Sequence, residues 1–159
     1  MNVSIRKGTK TDIPSVLQLI VELAIYEKAP NEVEVTVEEL LEDGFGEHPR
    51  FKLYVAEKEG AIIGIALYYW KYSTWKGKCL FLEDIVVNEE YRNQGVGSLL
   101  FEAVLKEAKE LKVKRMEWQV LEWNISAIAF YKKYNAQLDE EWLNGRLTYH
   151  QIQEAQLRN

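Results

Sequence analysis

The apolar run Leu80-Phe81-Leu82-Glu83-Asp84-Ile85-Val86-Val87 is followed closely by Tyr91-Arg92-Asn93-Gln94-Gly95-Val96-Gly97-Ser98, and a strongly periodic pattern begins there. A strand, then Arg-x-x-Gly-x-Gly, then a helix is a device for holding a pyrophosphate. Gly95 and Gly97 let the backbone approach phosphate oxygens in conformations that a Cβ would penalise. The amides from Gln94 to Ser98, Val96 included, would lie at a helix start, where the dipole favours an anion. Arg92 adds a permanent positive charge beside them. The third glycine of the dinucleotide fingerprint and the Gly-Lys-Ser/Thr of a P-loop are both missing. The pattern therefore points to a nucleotide-type diphosphate, or to no more than a glycine-rich turn.

Glu83 and Asp84 interrupt the strand just before this turn. Burying two adjacent carboxylates is costly unless they are paired, hydrated or protonated. Alternation sends them to opposite faces unless a bulge re-aims one. They are candidates for a general base or for an anchor of a cationic substrate, and the alternative is an ion pair inside the core. Tyr131 and Tyr134 fall on a predicted helix whose N-cap is Asn124. A phenol is a suitable proton donor to a departing thiolate, though helix tyrosines more commonly serve packing. Trp70, Tyr72 and Trp75 cluster around one loop and suit a cation-binding wall or a hydrophobic lid equally well. Cys79, the single cysteine, precedes the strand and reads as a packed residue. His48 and His150 are isolated, and no His/Cys/Asp grouping has metal-ligand spacing.

These groups need elements to hold them. A short strand is expected over 3–6 and a helix over 12–27, with Thr11 or Asp12 at its cap and Pro14 in its first turn. A second helix is expected over 36–42, where Thr36 and Glu39 have capping-box spacing. Strands over 51–57 and 61–70 form a hairpin across Gly60, and a loop, KYSTWKGK, leads to the strand over 80–87. The helix after the glycine turn runs over 95–111, with Leu99, Leu100, Ala103, Val104, Ala108 and Leu111 as its buried stripe. A strand over 115–120, a helix over 124–134 and two last strands near 136–138 and 146–152 complete the order. Such a chain is one α/β domain, 1–159, a mixed and mostly antiparallel sheet with helices on both faces.

The chain has 159 residues and a net charge of −5, which argues against a nucleic-acid partner and weakly favours a cationic one. A single cysteine, no apolar leader core and no run long enough to span a bilayer point to the cytoplasm and away from membranes.

Four segments, LEDGFGEHP (41–49), YSTWKGK (72–78), LEDIVV (82–87) and EWNISAIAFYKKYNA (122–136), together with the Arg92–Gly97 motif, make the chain resemble the GNAT acyl-CoA N-acyltransferases. Within them it is similar to the spermidine/spermine (diamine) and thialysine N-acetyltransferases. The resemblance implies acetyl-CoA as co-substrate, a small cationic amine as acceptor and a homodimer. It implies that the main chain of Ile85 and Val87 binds the pantetheine arm, and that Arg92 and the amides of Gln94, Gly95, Val96, Gly97 and Ser98 hold the pyrophosphate. Asn124 would contact the cofactor, Tyr131 would bind it and protonate the thiolate, and Glu83 would receive the amine proton. Glu27, Trp75, Glu83 and Asp84 would line the acceptor site. Asn135 replaces the usual glycine after the FYKK segment, a position that asparagine tolerates in the left-handed conformation. The tail EEWLNGRLTYHQI matches less well.

Overall fold

The computed structural model describes residues 2–158. They divide into two compact units, one ending at Leu121 and one beginning at Glu122. The first unit is built on a five-stranded sheet in the order β1-β2-β3-β4-β5, formed by Ser4–Lys7, Lys52–Lys58, Ala61–Ser73, Gly77–Val87 and Arg115–Glu117. Neighbours run antiparallel except β4 and β5, which are parallel and joined by a helix crossover. Helices α1 (Ile13–Tyr26), α2 (Val37–Phe45) and α3 (Val96–Glu110) belong to this unit. The second unit holds α4 (Ile125–Lys132) and α5 (Tyr149–Glu154).

Alternation along β3 assigns the helices to the two faces of the sheet. Ile65 and Leu67 join Leu53, Val55 and Val86 in a cluster with Ile13, Val16 and Leu19 of α1 and Leu40 of α2. Tyr68, one residue on, points the other way and donates a hydrogen bond to Glu107 of α3. Gly64 lies on that second face, where an added Cβ would meet Leu100 of α3 at 3.0 Å. Close packing of α3 on the sheet therefore requires glycine there.

The buried side of α3 is Val96, Leu100, Phe101, Val104, Glu107 and Ala108, whereas Leu99 and Leu111 are exposed. The apolar stripe expected from periodicity is thus turned by about a residue. The cause is Glu107, a charge on the inner face. It is held by Lys7 at 2.5 Å, by Lys52 at 3.4 Å and by the Tyr68 phenol, partners contributed by three strands. Asp12 is the N-cap residue of α1 as expected, but its carboxylate makes no cap hydrogen bond there and receives two from Arg6 at 2.8 and 2.9 Å and one from the Thr9 amide at 2.7 Å.

β3 and β4 are longer than the expected strands. The ladder continues to Ser73 opposite Gly77, so most of the expected 71–78 loop is a projecting hairpin. β5 stops at Glu117, short of the expected Val120. Neither expected C-terminal strand forms: 136–138 has no regular structure, and Tyr149–Glu154 is a helix. Thr148 and Gln151 make a reciprocal capping box that starts this helix.

Burial works to raise the Glu107 carboxyl, but Lys7, Tyr68 and Lys52 overcome it and hold it at about 2, below its ordinary 4.5. Its stabilisation is complete above about pH 4.5 and disappears as pH falls toward 2. Glu107→Gln should therefore lower the unfolding free energy by about 1–3 kcal/mol at neutral pH. Denaturant titrations between those two pH values should show a shallower acid dependence for the variant than for the parent.

Candidate active site

β3 and β4 fall out of step beside the acidic pair. Tyr68 pairs with Leu82 and Leu67 pairs with Asp84, which leaves Glu83 as an extra residue, a β-bulge. Asp84 thereby shares the face of Leu67, on which α1 packs. Glu83 is exposed and accepts a 2.8 Å hydrogen bond from the phenol of Tyr69. Tyr69 is stacked on Phe81, its partner across the ladder, with ring centres 5.4 Å apart. Glu27 follows the last turn of α1 as its C-cap residue.

Glu27, Glu83 and Asp84 form one electrostatic group. Burial pushes the Asp84 carboxyl up to about 6, and the negative charges of Glu83 and Glu27 add to the effect. Burial also raises the Glu27 carboxyl. The Tyr69 phenol is pushed up to about 12, by burial first and then by its bond to Glu83. A cation entering this neighbourhood would relieve the mutual repulsion, so the group is suited to an ammonium.

β4 leads from there into the glycine turn. Asn93 and Gly95 both have left-handed φ, 59° and 84°. α3 then begins at Val96, and no side chain caps its first turn. A Cβ on Gly95 would meet nothing within 4 Å, and one on Gly97 would meet only Val87 Cγ2, at 3.8 Å. Uncapped amides, an open approach and the positive end of a helix fit a pyrophosphate. Gln94 Nε2 donates to the Glu90 carbonyl at 3.0 Å, which braces the turn. Arg92 Nε donates to the Val87 carbonyl at 3.0 Å, and its guanidinium lies 4.9 Å from the centre of the Tyr26 ring. Ile85 and Val87 lie beyond Phe81, where the β4–β5 ladder ends. Their main-chain edge suits an extended ligand added as a strand would be.

Trp75 occupies the turn of the β3–β4 hairpin and is 82% exposed. Six rungs of ladder, spanning about 17 Å, separate that turn from the bulge. The hairpin therefore does not bring Trp75 to the carboxylates of its own unit. Lys52 and Lys78 lie over the ring of Trp70, so this aromatic already has cation partners within the fold. Cys79 is buried and donates to the Gly77 carbonyl at 3.4 Å, as expected of a packed residue. Among the described residues no His/Cys/Asp/Glu cluster is placed to hold a metal ion.

In the second unit, Asn124 caps α4 by accepting from the Ala127 amide at 3.2 Å. Tyr131 is 5% exposed and meets Phe130 edge to face, and Phe130 in turn meets Tyr134. Asn135 takes the left-handed conformation expected of it, with φ of 58°.

The sequence profile described as the Acetyltransferase (GNAT) family matches residues 17–136. The chain belongs to this family. A thialysine N-epsilon-acetyltransferase of Bos taurus is 41% identical over 143 residues, covering 85% of this chain and 84% of that protein. The spermidine/spermine N(1)-acetyltransferase-like protein 1 of Homo sapiens is 34% identical over 139 residues, covering 83% of this chain but only 20% of that protein. An integron cassette protein from the mobile metagenome of V. cholerae superimposes with a TM-score of 0.78 at 22% identity, covering 97% of each chain.

One residue of the candidate site is not singled out by sequence reasoning: Tyr69. Its diagonal relation to Glu83 depends on the ladder register, and tyrosine in a strand carries no signal beyond packing. A second consequence concerns Asp84. Because Asp84 keeps its proton up to about 6 instead of an ordinary 3.8, the folded state loses stability as pH rises between those values. Asp84→Asn should raise the unfolding free energy by about 1–2 kcal/mol at about pH 7.5 and leave it nearly unchanged at about pH 3.5. Denaturant titration at the two pH values measures the difference.

Proposed function

We infer that this chain transfers the acetyl group of acetyl-CoA to a primary amine of a small cationic acceptor, a polyamine or a lysine analogue such as thialysine. The observation that carries this reading is the bulged strand itself. It presents the carboxylates of Glu83 and Asp84 and runs directly into an uncapped, glycine-opened helix start. The activities named for the Bos taurus and Homo sapiens relatives support it. The family profile runs across the division at Leu121, which supports treating 1–159 as one catalytic domain.

In this reading Arg92 and the amides of Gln94, Gly95, Val96, Gly97 and Ser98 hold the pyrophosphate. The main chain of Ile85 and Val87 pairs with the pantetheine arm, and Asn124 and Tyr131 contact the co-substrate. Glu27, Glu83 and Asp84 attract and orient the acceptor, and Trp75, at the far end of the hairpin, does not join them within its own unit. An alkyl ammonium has a pKa near about 10.4 and cannot attack until it loses a proton, which Glu83 takes directly or through water. The neutral amine then forms a C–N bond to the thioester carbonyl. On collapse the C–S bond breaks, Tyr131 protonates the thiolate, and the second amine proton passes to water, from which the phenol is restored. Transfer is direct in this reading, because Cys79, the chain's single thiol, is buried and donates to the Gly77 carbonyl, with no activating base assigned to it.

The apolar side chains Trp142, Leu143, Leu147, Tyr149, Ile152 and Leu157 of the second unit are all more than half exposed. This supports a homodimer, which sedimentation analysis checks. Among the described residues no helix is long and apolar enough to cross a membrane. The lone cysteine, which can form no internal disulfide, supports a place in the cytoplasm.

Thiol release from acetyl-CoA measured over spermidine, spermine, putrescine, thialysine, lysine and a peptide with a free amino terminus tests the reading. Saturable turnover with one small amine is the expected result, and turnover only on the peptide would overturn the acceptor class. Tyr131→Phe should reduce kcat by about 10²-fold while acetyl-CoA binding persists, as loss of a general acid does. Gly97→Asp should abolish acetyl-CoA binding through like charge at the phosphates. Gly97→Ala provides the folding control, since its Cβ would make only an ordinary contact with Val87. Isothermal titration with acetyl-CoA separates the two variants.

A further inference from the structure

The bulge creates a problem that the ladder does not solve. Residues on either side of Glu83 have partners on β3 that fix their direction, whereas Glu83 has none. Its side chain is exposed, so packing does not fix its direction either. A long flexible carboxylate in this position would sample several rotamers, and a proton acceptor is effective only when it is aimed.

Tyr69 supplies the missing constraint. It pairs directly with Phe81, so Glu83 is its diagonal neighbour two residues along β4. Diagonal positions are about 7–8 Å apart, within reach of an aromatic side chain. The ring of Tyr69 lies along the ring of Phe81, at an interplanar angle of 29°, and delivers its hydroxyl to Glu83 Oε2 at 2.8 Å. The stack fixes the ring, and the ring fixes the carboxylate.

Resting on the assignment of Glu83 as the proton acceptor, we propose that Tyr69 is a positioning residue, whose phenol holds the Glu83 carboxylate aimed at the acceptor amine. The phenol itself stays a donor across the working pH range, since burial and its bond to Glu83 push it up to about 12. Beside it, Asp84 is pushed up to about 6, by burial first and then by the charges of Glu83 and Glu27. The other charged groups around this face are Glu27 from the end of α1, Lys71 of β3, and Arg115 and Glu117 of β5. Lys71 lies 3.6 Å from Glu117, which also meets Arg115 at 3.4 Å. Those pairings direct the cations to Glu117 and leave Tyr69 as the donor to Glu83.

The test is Tyr69→Phe, which keeps the ring and the stack and removes one oxygen, compared with Glu83→Gln and with the double variant. The readout is kcat and the KM for each substrate with the best amine of the panel. Tyr69→Phe should lower kcat by about tenfold, the worth of one hydrogen bond to a charged group. It should leave the KM for acetyl-CoA unchanged. In the Glu83→Gln background the same substitution should have no further effect on rate. A parental rate for Tyr69→Phe, with Glu83→Gln inactive, would overturn the role of Tyr69 alone. A slower rate repeated in full on Glu83→Gln would show a merely structural effect and also overturn it. Undiminished turnover by Glu83→Gln would overturn the base assignment and the inference together.

Discussion

A strand shows alternate residues to alternate faces, yet the candidate site presents two adjacent carboxylates on a single strand. The bulge at Glu83 is what reconciles the two, and much of the site follows from it. It keeps Asp84 in phase with Leu67 and so over α1, near Glu27. It leaves Glu83 unregistered and open to solvent, where a mobile acceptor can reach it. The rest of β4 stays in the ladder to Val87, opposite Gly64, and so delivers the glycine turn from a rigid support. Bulges are disruptions of pairing, and this one is flanked on both sides by long regular hairpin that absorbs the disruption.

The turn is tied back to the strand that carries the carboxylates. Arg92 bonds the Val87 carbonyl with Nε and lies against Tyr26 near the end of α1, one residue before Glu27. One side chain therefore links the phosphate turn, the end of β4 and the C-terminus of α1. On the opposite face Glu107 does the equivalent for α3, gathering Lys7, Tyr68 and Lys52 from β1, β3 and β2. A buried charge contributes little net energy over an apolar residue, but it accepts only one arrangement of partners. It thereby fixes the rotation of α3, and with it the direction in which the uncapped first-turn amides point.

Local signals made much of this legible. The hairpin across Gly60, the capping box at Thr36, the glycine turn and the 3.6-residue spacing of the helices all act over a few residues, and the corresponding elements form. Long-range pairing is where sequence reasoning stops. Glu107 is missing from the expected stripe because its partner Lys7 is 100 positions away. Tyr69 is silent because its role exists only once the register sets it diagonal to Glu83. The C-terminal tail has the apolar spacing of strands, but its large side chains stay exposed, and the capping pair Thr148 and Gln151 turns part of it into a helix. A bulge, by contrast, is half visible: two acids in an apolar strand signal that alternation must break, without saying at which residue.

The electrostatics of Glu27, Glu83 and Asp84 then bear on why a cationic acceptor suits this fold. Asp84, the most buried of the three carboxylates, is pushed up to about 6 by burial first and then by the negative charges of Glu83 and Glu27. An arriving ammonium opposes that effect, since a positive charge favours the ionised form. The attraction that Asp84 offers a cation is therefore fullest above about 6, where it has itself ionised. A carboxylate that must both hold a cation and take its proton would do neither well, because the held cation weakens it as a base. In the proposed reaction Glu27 and Asp84 would attract from half-buried positions, and Glu83, at the solvent-facing bulge, would take the proton and pass it to water. The one-residue slip between β3 and β4 is what would keep the two tasks on different side chains.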